Sequence, residues 1–171
     1  GSSAIGHLLH SYNRSDDTGM LLTAPIKGLA PNKQYQANFT AMIASNVNSF
    51  CSGIGGAPHA VSIKAGVSSI KPSTVVDEEQ HHRLTVDFGN NAQGGEQGIV
   101  LGDIGIDTLD DCDPSSDIFA QKTFDSTLIE ASVVFTTGDS GNVYFSVASD
   151  SGFEGPTTLV FLEAGVTFSK L

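Results

Sequence analysis

The sequence predicts an all-β domain in which two antiparallel sheets pack as a sandwich, wound as a jelly roll. Three observations carry that expectation. Apolar and polar residues alternate at period two in several short windows, the mark of a strand with one buried and one wet face. Clusters of Gly, Pro, Asn and Asp separate these windows at intervals of roughly ten to twenty residues. No window holds an extended helical stripe. The composition agrees: 19 glycines stand against 8 Lys plus Arg in 171 residues, a balance that favours turns and strands. A chain this long suits one domain and buries roughly 70% of its unfolded surface without help from a metal or disulfide.

Taken in order, residues 1–19 are small, polar and turn-rich, and read as a lead-in to a single sandwich domain over 20–171. "MLLTAPIK" (20–27) is the first strand signal, followed by a turn at Pro31-Asn32. In "QYQANFTAMIA" (34–44), Tyr35, Ala37, Phe39, Ala41 and Ile43 alternate with Gln36, Asn38, Thr40 and Met42. "AVSIKAG" (60–66) buries Val61, Ile63 and Ala65 and turns Ser62 and Lys64 outward. "HHRLTVDFG" (81–89) buries Leu84, Val86 and Phe88 and exposes Arg83. "QGIVLGDI" (97–104) is nearly all apolar and reads as a central strand. "LIEASVVFTT" (128–137) buries Ile129, Ala131, Val133 and Phe135, and the turn "TGDSGN" joins it in a hairpin to "NVYFSVAS" (142–149). "TTLVFLEAGVTFSK" (157–170) closes the chain. There, either Leu159 and Phe161 face outward as an apolar patch, or a bulge near Ala164-Gly165 switches the parity.

Charge narrows the function. A formal net charge of −11 repels phosphate backbones and anionic membranes, so nucleic acid is not an expected partner. No apolar run is long enough for a transmembrane segment. The opening "GSSAIG" reads as a trimmed start. The glycine cluster "FCSGIGGAPHAVSIKAG" (50–66) invites a phosphate or oxyanion role. It lacks the Lys of a Walker loop, a strand rather than a helix follows it, and Ser52 is out of frame for a nucleophile elbow. A tight connection fits better: Gly55 and Gly56 supply positive φ, and Pro58 holds its predecessor extended. With no activated nucleophile frame and no defined carboxylate pair, the chain reads as non-catalytic.

Three segments resemble the galactose-binding-like jelly-roll fold of many carbohydrate-binding modules: "IKGLAPNKQYQANFTAMIA", "VVFTTGDSGNVYFSVASDSG" and "LVFLEAGVTF". "SFCSGIGGAP…VSIKAGVSS" and "DSGFEGPTTLVF" are similar to secreted bacterial proteins and lipoproteins. The resemblance implies a β-sandwich, a carbohydrate ligand, and a secreted, periplasmic or cell-surface location. It also implies a structural calcium near the closing strand, with Glu163 at the acidic position.

In an exported chain, two cysteines in turn-rich loops suggest one disulfide, Cys51–Cys112; free thiols in a reducing compartment are the alternative. "GDIGIDTLDDCDPSSD" gathers Asp103, Asp107, Asp110, Asp111, Asp113 and Asp117. Calcium takes six to eight oxygens from such loops, so Asp103, Asp107, Asp110 and Glu163 are the candidate ligands, against a plain solvated acidic loop. In "DEEQHHR" (77–83), His81 and His82 point to opposite faces of a strand, which argues against a shared metal. For a sugar, the outward parity offers Gln36, Asn38, Thr40, Lys64 and Arg83 as hydrogen-bonding groups. Tyr144 is the stacking ring in a chain with no Trp. The expected function is non-catalytic recognition of carbohydrate. The alternative is a structural or protein-interaction domain of a surface lipoprotein.

Overall fold

The computed structural model describes residues 5–14, 17–53, 57–110, 112–113 and 116–171. These form eleven strands: β1 (His7–Asn13), β2 (Thr18–Ile26), β3 (Gln34–Ser45), β4 (Val61–Ser68), β5 (Thr74–Val76), β6 (His82–Leu84), β7 (Gly98–Asp103), β8 (Ala120–Asp125), β9 (Val133–Thr136), β10 (Val143–Ser151) and β11 (Gly155–Lys170). One sheet, A, runs β1-β11-β3-β8, with β9 beside the start of β3. The other, B, runs β2-β10-β4-β7, and β5 and β6 form a separate hairpin. Every strand pair is antiparallel, and the pairing is nested: β1 with β11, β2 with β10, β4 with β7. The expected all-β sandwich is the observed fold.

The core follows the alternation. Tyr35, Ala37, Phe39, Ala41 and Ile43 are buried along β3, and Val61, Ile63, Ala65 and Val67 along β4. Phe39 of sheet A stacks on Phe145 of sheet B, centroids 6.0 Å apart, so the two inner faces interdigitate as packed sheets must. At one end Tyr35, Phe135 and Phe168 cluster, and the Tyr35 hydroxyl accepts the Ala30 N–H at 3.0 Å. Cys51 and Cys112 form a disulfide beside the bridge between Asn48 and Ile106. Ala57 is extended before Pro58, as proline sterics require. Gly55, Gly56 and Asp111 lie outside the described residues.

Five expectations are corrected. The lead-in contains β1, whose Asn13 is fully buried and donates its side-chain N–H to the Ser151 carbonyl. The segment 97–104 is an edge strand, apolar because residues 69–97 cover part of its sheet. "TGDSGN" makes no hairpin: β9 pairs β3 in sheet A while β10 lies in sheet B, so the turn crosses between sheets. Of 128–137 only Val133–Thr136 is strand, and Ile129 is half exposed on a turn. In β11 the irregularity falls at Leu162, between Phe161 and Glu163. It lets Leu159 and Phe161 point inward before it and Val166 and Phe168 after it. The Leu159/Phe161 surface patch therefore does not exist. One inserted residue reverses side-chain parity, and both halves of the strand stay apolar-in.

Candidate functional site

Over β4 and β10 the outer face of sheet B is not wet, although Thr23 and Pro25 of β2 stay exposed beside it. On β4 and β10 it carries Ser62, Lys64, Gly66, Ser68, Ser146 and Ala148, all buried. The excursion between β4 and β7, residues 69–97, folds back over it. Phe88, 4% exposed, lies on Gly66 and Gly98, where a Cβ would collide with its ring. Val86 is buried with it, whereas Leu84 stays exposed. Small side chains on the nominally wet face are what make room for this cover.

Lys64 is 1% exposed. Its Nζ donates to Asp150 Oδ2 at 2.7 Å and to the Phe88 carbonyl at 3.2 Å. The same Oδ2 accepts the Asn91 N–H at 2.8 Å. The pair thus holds the covering segment at two backbone points. A buried ion pair needs such added hydrogen bonds to offset its desolvation.

Between the cover and β2 runs a cleft of about 470 Å³. Its floor includes Leu21 and Ala148, and its rim carries Arg83, His82, Asp17 and Asp87. Arg83 donates from Nε to Asp77 Oδ2 at 3.0 Å and reaches Asp17 at 3.7 Å. Asp77 itself accepts the backbone N–H groups of His81 and Glu79. Those hydrogen bonds, the His81 N–H first, hold its carboxyl below the ordinary range. Asp87 is held low by the Glu96 and Gly89 N–H groups, with a smaller contribution from the charge of Lys64. A fixed cation and fixed carboxylates on the rim of a cleft with an apolar floor can orient a polar, uncharged ligand.

The sequence-predicted groups fall on two sides of the molecule. Gln36, Asn38 and Thr40 share the outer face of sheet A, where Gln36 donates to Ser132 Oγ at 3.0 Å. Lys64, Arg83 and Tyr144 belong to the sheet B side, but Tyr144 pairs across from Pro25 and Ser68, away from the cleft lining. Only Lys64 and Arg83 line the cleft, and Lys64 is a buried anchor rather than the outward group expected. Asp17, His82, Asp87 and Asp150 were missed. The run of small residues on the outward parity of β4 and β10 was the available signal that this face is covered.

The acidic residues do not assemble as expected. Among the described residues, no three of Asp103, Asp107, Asp110 and Glu163 come within one ligand sphere; Asp77, Glu79 and His81 form the group that does. Asp103 Oδ1 accepts the Lys122 Nζ at 2.9 Å, and that ammonium also donates to the Gly105 carbonyl at 2.8 Å. Lys122 thus stands where a cation was expected to bridge carboxylate and carbonyl. Asp107 and Asp110 are exposed, and Glu163 lies at the rim of a separate apolar groove with His7, Leu22, Phe145 and Val166. This donor set does not fit a shared calcium. No protein-family model, curated protein or solved structure matches the chain.

Proposed function

We propose that the protein is a non-catalytic, extracytoplasmic binding domain that recognises carbohydrate in the cleft over sheet B. The observation that carries this reading is a cleft whose lining combines Arg83, His82, Asp17 and Asp87 with the apolar Leu21 and Ala148. Sugars offer hydroxyls to such charged groups and C–H faces to such a floor, and the volume falls in the range of small-ligand sites. The nested strand order supports reading the sandwich as a jelly roll of galactose-binding-like type, and the disulfide supports an oxidising compartment. No helix among the described residues is long and apolar enough to cross a membrane. The test is a thermal-shift screen against soluble glycans, with calcium and with EDTA. Ligand at 100 times its Kd adds about 2.7 kcal/mol. One glycan class should raise the melting temperature, and Arg83→Ala should abolish the shift. A shift that survives Arg83→Ala, or none with any glycan, removes this reading.

A second reading, a protein-interaction domain, is favoured by the outer face of sheet A. Leu8, Val160 and Ala44 are cross-strand neighbours there, with Met42 one pair further along β3. Leu8 and Val134 are more than half exposed. This apolar strip, bordered by Glu163 opposite Met42, has the character of an interface centre with a polar rim. Calcium, if it acts, would show as a melting shift reversed by EDTA.

A further inference from the structure

We propose that Lys64 and Asp150 condense to an intramolecular amide, a covalent cross-link between β4 and β10. Nζ and Oδ2 are 2.7 Å apart, and Lys64 is 1% exposed beneath the 69–97 cover. The polar groups around the pair fit the product better than the ion pair. Asp150 Oδ1 is buried and has no hydrogen-bond partner among the described residues, a costly state for a carboxylate oxygen. The ammonium has three hydrogens, and among the described residues two acceptors receive them, Asp150 Oδ2 and the Phe88 carbonyl. An amide has one N–H and one carbonyl oxygen. The N–H would donate to the Phe88 carbonyl, and Oδ2 would accept the Asn91 N–H that it already accepts. The orphaned Oδ1 is the atom that leaves.

The step balances without a co-reactant. A proton passes from the ammonium to the carboxylate, and the freed amine attacks Cγ. The Nζ–Cγ bond forms and the Cγ–Oδ1 bond breaks. Of the three ammonium hydrogens one stays on the amide nitrogen and two depart with Oδ1 as water; the two charges cancel. Two features drive it. Held reactants have effective molarities of order 10⁵ M and above, and the burial of Lys64 limits the access of water to its side of the link. The product also removes two charges from a site where holding them costs desolvation. The bond would join the two central strands of sheet B at adjacent outward positions, Lys64 facing Ala148 and Asp150 facing Ser62. This inference does not rest on the carbohydrate reading.

The experiment is intact-mass spectrometry of the reduced protein in denaturant, followed by a tryptic map. The wild type should be one water lighter than its sequence mass. The map should show a branched peptide joining Lys64 to Asp150, with no cleavage after Lys64. Asp150→Ala should have its full sequence mass. Asp150→Asn should lose ammonia instead of water and form the same link. None of these readings requires a variant to fold except Asp150→Asn, and the wild-type mass alone is decisive. A wild type at full sequence mass overturns the proposal. So does a water loss that maps to any other residues, such as a succinimide elsewhere.

Discussion

Replacing both Cys51 and Cys112 with serine should cost about 4 kcal/mol of stability. The bond closes a loop with a sequence separation of 61. In the chain-entropy model the denatured chain without the bond gains about 14 cal/mol/K, or about 4 kcal/mol at room temperature. The native state should change little. Ile106 N–H donates to the Val47 carbonyl at 2.8 Å and Ser49 N–H to the Ile106 carbonyl at 3.4 Å, so the two loops stay docked without the covalent tie. The effect therefore lives in the unfolded state. A total of roughly 5–15 kcal/mol is usual for a domain, so this is a large share of it. Urea titration of the wild type and the double variant gives the difference directly. The variant should also show a larger m-value, because its denatured chain is less compact. A difference below about 1 kcal/mol with equal m-values would refute the loop-entropy reasoning and mean that the bond is offset by native strain or residual denatured structure.

Two further outcomes follow from the cover over sheet B. Gly66→Val should drive the Phe88 ring and the Gln97 carbonyl off the sheet. Limited proteolysis should then cut within 69–97, and stability should fall by about 1–3 kcal/mol. Gly138→Ala, which meets open space, should leave both unchanged. The depressed carboxyl of Asp87 contributes stability above its unfolded value of about 3.9 and loses it as pH falls through the lower folded value. Urea midpoints measured from pH 5 to 2 should decline across that window, and less steeply in Asp87→Asn; equal slopes would show that its backbone hydrogen bonds are not formed.

Much of the fold was legible because alternation is a local signal. On β3, β4 and β10 every residue that the period-two reading turns inward is buried; on β4 and β10 most of the residues it turns outward are buried too. The disulfide was legible from compartment logic and loop placement. The candidate site was not, since it depends on what lies over a strand. Lys64 has an outward parity, and parity says only which face a side chain leaves from. Whether that face meets water was settled by residues 69–97 folding back over it.

The sequence by itself determined the class of fold, the core of the central strands and the pairing of the cysteines. Each rests on side-chain alternation or on the chemistry of two residue types, which need no partner to be identified. Tertiary structure decided the rest. It put β9 and β10 in different sheets, because a turn signal does not say which strand pairs with which. It placed the bulge at Leu162, because parity along β11 is fixed by its register with β3. It brought Asp150 to Lys64, and Arg83 to the cleft rim, because contacts between residues 86 and 66 apart in sequence are made by packing rather than by any local pattern.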